Sequence, residues 1–152
     1  MRFTYLLDGS GWATASIELG DRHVDMAASY LRDSLREIAL AVLALDEVDE
    51  ATAVFESEPG EHHVTLTRYG LGIRVRVSWH ADAVVTSGGV ENGPERLVLT
   101  GETTLVEARA QLLDALDVVL AAHGREGYRR MWIEHDFPSA EHDALRARVT
   151  EA

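Results

Sequence analysis

Apolar and polar residues alternate along the first part of the chain, and this period is typical of β-strands. Every second residue is apolar or aromatic from 3 to 7 and again from 13 to 19. The segment 8–11 between them, Asp-Gly-Ser-Gly, consists of residues that favour turns. The pattern therefore predicts that the chain opens with a β-hairpin.

The hydrophobic period then changes to about 3.5 residues, which predicts an amphipathic helix. Asp25 is the predicted N-cap of this helix, because a short polar side chain can accept a hydrogen bond from the first free amides. The acidic residues that begin at Asp46 mark its predicted end. The apolar stripe consists of Leu31, Leu35, Ile38, Val42 and Leu45.

Short polar and apolar runs separated by Gly and Pro dominate the middle of the chain and predict antiparallel strands joined by tight turns. The clearest run alternates Ile73, Val75 and Val77 with arginines, so one face of the sheet is expected to be buried and the other solvated. The predicted strands are residues 51–58, 62–69, 72–80 and 95–100, with an irregular excursion over 81–94.

The last third of the chain is predicted to be helical. Thr104 and Glu107 have the spacing of a capping box at a helix start, and Gly124 is a suitable stop. A short last helix is predicted after Pro138 and Ser139. The element order ββαββββαα predicts one α+β domain over residues 1–152. One antiparallel sheet of about six strands would pack against two long helices, with a short C-terminal helix.

Composition narrows the possible functions. With 46% hydrophobic and 26% charged residues, the 152-residue chain has the balance of a soluble globular domain. It has no cysteine, so disulfides and thiolate zinc sites are excluded. The net charge of −12 argues against nucleic-acid binding, and no apolar run is long enough to predict a membrane span. We therefore expect a cytoplasmic protein.

Seven of the acidic residues lie within residues 46–61, a segment that contains no lysine or arginine and that we call the acidic linker. The linker can be a solvated surface that aids solubility. Alternatively it forms a negative patch that attracts a basic protein partner, since clustered charge raises association rates. Its acids are Asp46, Glu47, Asp49, Glu50, Glu56, Glu58 and Glu61.

A second candidate surface follows the predicted second helix. Arg129, Arg130 and Trp132 are residue types that are enriched in protein interfaces. Trp132 and Tyr128 are also four residues apart, so they can instead lie on one helical face as a core anchor. A third possible docking surface is the solvated sheet face, to which Thr65, Thr67, Arg74, Arg76 and Glu56 contribute.

The histidines raise an alternative, a small metal-dependent hydrolase. His62, His63, His80 and Asp82 fall on or near neighbouring predicted strands. Consecutive residues of a strand point to opposite faces, however, so His62 and His63 cannot both bind one ion without a bulge. The His-Asp pairs at 135–136 and 142–143 fit surface positions, and the glycine motifs fit turns. The sequence thus predicts neither catalytic residues nor a cofactor.

Four segments carry a resemblance to known proteins: residues 6–15, 28–35, 124–128 and 137–138. The chain resembles, over nearly its whole length, a group of small uncharacterised acidic bacterial proteins of GC-rich genomes. Its size, acidity and α+β layout also look like those of immunity proteins that neutralise polymorphic toxins. This resemblance implies a non-catalytic binding module that masks a basic toxin surface with its acidic patch. A homodimer is a further possibility.

Overall fold

The computed structural model describes residues 1–133 and 135–151 and confirms an α+β fold with antiparallel sheets. Its strands and helices alternate in blocks, much as the hydrophobic pattern predicts. The strands are β1 (Arg2–Gly9), β2 (Trp12–Leu19), β3 (Arg22–Ser29), β4 (Glu50–Glu56), β5 (Glu61–Tyr69), β6 (Gly72–His80), β7 (Val84–Thr86), β8 (Gly89–Glu91) and β9 (Glu95–Thr104). The helices are α1 (Ser34–Ala44), α2 (Leu105–Trp132) and α3 (Ser139–Thr150).

The strands form three sheets rather than the single sheet expected from the sequence. The small sheet has the order β1-β2-β3, the large sheet has the order β4-β5-β6-β9, and β7 pairs with β8 alone. The two larger sheets contact each other at Gly101 of β9, where an added Cβ would lie only 3.1 Å from Leu19 of β2. Glycine at this point leaves room for the close approach of the two sheets, since a larger residue would require Leu19 to shift by a few tenths of an ångström.

Residues 22–29 form strand β3, so the prediction that a helix begins near Asp25 is wrong. A two-residue turn at Gly20 and Asp21 joins β2 to β3. Val24 and Met26 point inward and are buried, while Asp25 lies on the exposed side and its Oδ1 accepts a hydrogen bond of 2.6 Å from Ser16 Oγ. The Asp25 carboxylate therefore bonds to Ser16 on the neighbouring strand and does not cap a helix.

Helix α1 begins eight residues later than this cap would require. Leu31, predicted to lie on its apolar stripe, precedes the helix and is 58% exposed. The remaining four residues of the stripe are buried as predicted. The helix packs beside β4, where Glu37 Oε2 accepts a hydrogen bond of 3.0 Å from the Val54 amide. This bond occupies a backbone donor that the edge strand would otherwise expose.

Helix α2 begins as predicted, since Thr104 Oγ1 accepts a hydrogen bond of 3.1 Å from the Glu107 amide. Gly124 interrupts the helix with φ 65° and ψ 176°, but helical structure resumes and continues to Trp132. The small sheet, the large sheet, α1 and α2 contribute to one core. Phe3, Ile17 and Leu112 are buried in it. Within the described residues, no helix is long and apolar enough to cross a membrane.

Candidate functional site

Strand β4 divides the acidic linker into two separate groups of carboxylates. Four of the acids lie before or at the start of the strand and three lie at or beyond its end. A strand of seven residues spans about 20 Å, so the seven side chains do not form the single patch that the sequence suggests. The first group is Asp46, Glu47, Asp49 and Glu50, and the second is Glu56, Glu58 and Glu61.

In the first group, Asp46 is neutralised by arginines from both C-terminal helices. Its carboxylate accepts hydrogen bonds of 2.5 Å from Arg109 of α2 and 2.9 Å from Arg148 of α3. The hydrogen bond from Arg109, followed by that from Arg148, holds the pKa of Asp46 below its usual value. Glu50 nearby accepts a hydrogen bond of 3.0 Å from the Thr67 hydroxyl. Asp46 therefore joins helices, and its charge is not free for a partner.

The replacement Asp46→Asn should lower the free energy of unfolding at pH 7 by about 1 kcal/mol, because it removes two charge-assisted hydrogen bonds that are partly screened by solvent. A carboxyl with a lowered pKa stabilises the fold above its unfolded pKa, and this contribution disappears as pH falls through the folded pKa. The gap between the variant and the natural chain should therefore narrow as pH falls below about 4. Urea unfolding at pH 7 and pH 3 measures it, with Asp49→Asn as the control. An equal gap at both pH values would contradict this role for Asp46.

The second group gains a fourth carboxylate from the loop after β6, and we call Glu56, Glu58, Glu61 and Asp82 the acidic corner. Glu56 and Glu61 stand opposite each other in the register of β4 and β5. Partial burial, and then the charges of Glu61, Glu58 and Asp82, raise the pKa of Glu56. Within residues 1–133 and 135–151, these four carboxylates form no ion pair with an arginine. The charge of Arg32 acts on Glu56 in the opposite direction, but it is the smallest of these effects and does not cancel the repulsion.

The sign of this pKa change shows that the ionised carboxyl of Glu56 costs stability at neutral pH. A carboxyl whose pKa is raised by folding binds its proton more tightly in the folded state than in the unfolded state. Stability therefore falls as pH rises from the usual pKa of Glu56 through its raised value. The fold tolerates unfavourable electrostatics here, in contrast to the paired Asp46.

The turn between β4 and β5 fixes the corner in place. The Ser57 amide donates to the Gly60 carbonyl at 2.9 Å, and the Ser57 hydroxyl donates to the Ala27 carbonyl of β3 at 3.0 Å. The Gly60 amide in turn donates to Asp82 Oδ1 at 2.7 Å. Gly60 also rests on the Trp79 ring, which an added Cβ would approach to 2.4 Å. The carboxylates are therefore displayed from a rigid support.

A groove of about 360 Å³ opens beside the acidic corner. The rings of His63 and His80 stack along it with their centroids 3.8 Å apart. His63 Nε2 lies 2.5 Å from a Glu61 carboxylate oxygen, and His80 Nε2 lies 2.9 Å from Ser78 Oγ. Planar imidazoles beside carboxylates provide a surface that suits a basic side chain. The groove is lined by Glu61, His63, His80, Ala81, Asp82, Ala83, Asn92 and Gly93.

The structure separates His62 from the other histidines, as strand alternation predicts. His62 faces the opposite side of the sheet, where its Nδ1 lies 3.1 Å from Ser57 Oγ and its ring packs edge-on against Trp79. Burial, and then the charge of Arg96, lower its pKa. In the part of the chain that the structure describes, no three His, Asp or Glu residues are arranged to hold a metal ion. The hydrolase hypothesis therefore has no assembled ligand set among these residues.

Residues 84–91, which the sequence suggests are irregular, form the β7–β8 hairpin at the side of the groove. Ala83 precedes the hairpin and Asn92 follows it, and both residues line the groove. The hairpin exposes Val84, Val85 and Val90, whose exposed fractions are 55%, 80% and 71%. Val85 and Val90 pair across the hairpin and share one face, and we call this pair the valine ribbon. Val84 precedes Val85 on the strand and points to the opposite face. Exposed apolar side chains gathered beside a charged groove are typical of protein interfaces.

The second predicted surface is only partly at the surface. Arg129 and Arg130 are exposed, and Arg129 lies 3.5 Å from Asp136. Trp132 is completely buried and packs edge-on against Tyr5. Tyr128 is buried as well and packs against Phe137. The core interpretation of Tyr128 and Trp132 is thus confirmed, and Trp132 cannot contact a partner of the folded protein.

On the third predicted surface, the solvated sheet face, the arginines have acidic partners within the sheet. Arg74 lies 3.4 Å from Glu102, and Arg76 lies 2.6 Å from Glu95. The hydroxyls of Thr52 and Thr65 also form a hydrogen bond of 3.0 Å across β4 and β5. Because these polar groups bond to each other, this face has less unsatisfied charge than the acidic corner.

Comparison with known proteins adds no relative to this picture. No protein-family model, curated protein or solved structure matches the chain.

Proposed function

We propose that this chain is a non-catalytic protein-binding module that acts in the cytoplasm and receives a basic protein partner at its acidic corner. Its most specific form is an immunity-type inhibitor that masks a basic toxin surface. The contrast between the two ends of β4 carries the proposal. Asp46 is held by two arginines, whereas the acidic corner keeps its four carboxylates without an arginine partner among the described residues.

The energetic cost of the ionised Glu56 carboxyl within the acidic corner supports a role in binding. Like charges held close together destabilise the free protein, and a cationic surface relieves their repulsion when it binds. Such a corner also accelerates association with a basic partner by steering it toward the site. The partner's arginines or lysines would contact Glu58 and Glu61, with the groove accepting one such side chain.

The valine ribbon gives the proposed interface its apolar contact. Charged rims favour encounter and specificity, while buried apolar contacts at the centre contribute more to the strength of a complex. Val85 and Val90 pair with each other across the hairpin and therefore project as one unit. We expect the partner to cover this unit with apolar side chains and to place its basic residues toward the corner.

The test is binding to the product of the adjacent gene, because an immunity protein is expected beside its toxin. Calorimetry would compare the natural chain with Glu56→Lys/Glu58→Lys. Reversal of both charges should weaken binding by about 100-fold, since it turns attraction into repulsion. The matched control, Glu47→Lys/Asp49→Lys, changes the net charge equally at the opposite end of β4 and should stay within a few fold of the natural chain.

Two results would contradict the proposal. One is that the adjacent gene product does not bind the natural chain at low salt, where charge attraction is strongest. The other is that the corner and control variants lose affinity equally, because the partner would then sense net charge rather than the acidic corner. Circular dichroism of both variants shows whether they are folded.

A further inference from the structure

Outside the acidic corner, four side chains carry buried polar atoms that have no hydrogen-bond partner among the described residues. These atoms are Tyr5 Oη, Asp33 Oδ1, Tyr128 Oη and Trp132 Nε1. Tyr5, Tyr128 and Trp132 are each at least 99% buried. We call these four residues the polar core cluster.

The four residues come from three elements that are distant in the sequence but adjacent in space. Tyr5 lies on β1, Asp33 precedes α1, and Tyr128 and Trp132 lie near the end of α2. The rings of Tyr5 and Trp132 are 6.0 Å apart. Burial is the main cause of the raised pKa of both tyrosines, and the charge of Asp33 raises each further. Asp33 is therefore close enough for both phenols to sense its charge.

The surroundings of Asp33 leave its Oδ1 atom as the hydrogen-bond acceptor of the polar core cluster. Its other carboxylate oxygen, Oδ2, faces His135 Nδ1 at 3.8 Å. Its side chain does not cap α1, although it occupies the N-cap position. The cluster thus contains three buried donors, the two phenols and the indole, and one buried carboxylate oxygen, and none of these atoms has a hydrogen-bond partner among the described residues. Native proteins rarely leave buried polar groups unbonded, and ordered water usually completes such sets.

We propose that the polar core cluster binds ordered water, which accepts hydrogen bonds from Trp132 Nε1 and one tyrosine hydroxyl and donates to Asp33 Oδ1 and the other tyrosine hydroxyl. A water molecule suits this site because it can donate two hydrogen bonds and accept two. It would connect β1, the start of α1 and the end of α2 through polar bonds. This inference does not depend on the proposed binding function.

Water-selective nuclear Overhauser spectroscopy of the natural chain is the direct test. We expect cross-peaks between a long-lived water and the Trp132 indole proton, together with ring protons of Tyr5 or Tyr128. The indole proton of exposed Trp12 provides the comparison, since surface water leaves too quickly to give such a signal. Absence of these cross-peaks in the folded protein would overturn the proposal.

Thermal unfolding of hydroxyl deletions gives a second test whose sign separates the alternatives. If water bonds the hydroxyls, Tyr5→Phe and Tyr128→Phe should each lower Tm by about 2–4 °C. If the hydroxyls are unbonded, their removal relieves an unfavourable burial and should raise Tm. Tyr30→Phe, the same change at a partly exposed tyrosine, should have a smaller effect. A rise in Tm for both deletions would overturn the proposal.

Discussion

Replacement of Trp132 by alanine is expected to lower the free energy of unfolding by about 3–5 kcal/mol, the range for loss of a large aromatic side chain from a core. Trp132 is completely buried, and its ring packs edge-on against Tyr5. Removal of the ring leaves a cavity where the end of α2 meets the small sheet. Urea unfolding followed by circular dichroism measures the loss.

Trp12→Ala is the matched control, because Trp12 lies on β2 with 37% of its surface exposed. It should cost less than half as much as Trp132→Ala. Equal effects would show that Trp132 does not anchor the core. A Trp132 variant of natural stability but altered partner affinity would instead favour the interface interpretation of the sequence.

The second large effect is expected for Gly60→Ala, which should cost about 3 kcal/mol or more through steric overlap and backbone strain. Gly60 has φ 70°, a conformation that residues with a Cβ rarely adopt. Its added Cβ would lie 2.4 Å from the Trp79 ring and 2.7 Å from the His80 carbonyl oxygen. The His80 oxygen belongs to the backbone and cannot shift as easily as a flexible side chain. The turn that supports the acidic corner must therefore move.

Gly20→Ala separates the two contributions to this effect. Gly20 has φ 62°, but nothing lies within 4 Å of an added Cβ there. This control should show only the backbone term of about 1–2 kcal/mol. If Gly60→Ala costs no more than Gly20→Ala, the contact with Trp79 does not hold the turn. Partner affinity should fall in the Gly60 variant alone, since only that turn carries Glu58.

Local patterns predicted the strands of the large sheet well, because each strand is bounded by turn residues and alternates along its length. The run from Gly72 to His80 was predicted with its observed ends. Strand β3 was missed because its alternation is short and leads directly into the helical stripe that includes Leu35. When a segment fits both the strand period and the helix period, its tertiary neighbours determine its secondary structure. Here, pairing with β2 makes the segment a strand.

The acidic linker illustrates what sequence patterns omit about a site. Its charge could be counted, but its division could not, because the arginines that neutralise Asp46 lie 63 and 102 residues further along the chain. Asp82 follows β6, whereas Glu56 lies at the end of β4, so a distant part of the chain brings Asp82 to the acidic corner. Tertiary packing therefore determines which acids are paired and which stay available.

The polar core cluster was missed for the same reason. Three segments that are distant in the chain meet near this cluster. The Gly11 amide donates to the Met131 carbonyl at 2.8 Å, and the Tyr30 amide donates to the Gly11 carbonyl at 2.8 Å. These segments are separated in the chain, so their contacts could not be read from local periodicity.

The acidic corner also restricts how two copies of this chain could associate. In a two-fold symmetric dimer, the same surface of each copy meets its own image. A dimer axis through the corner would place Glu56, Glu58, Glu61 and Asp82 against an identical set and add to the repulsion already present. Any homodimer must therefore use another face, which leaves the corner open to a partner of opposite charge.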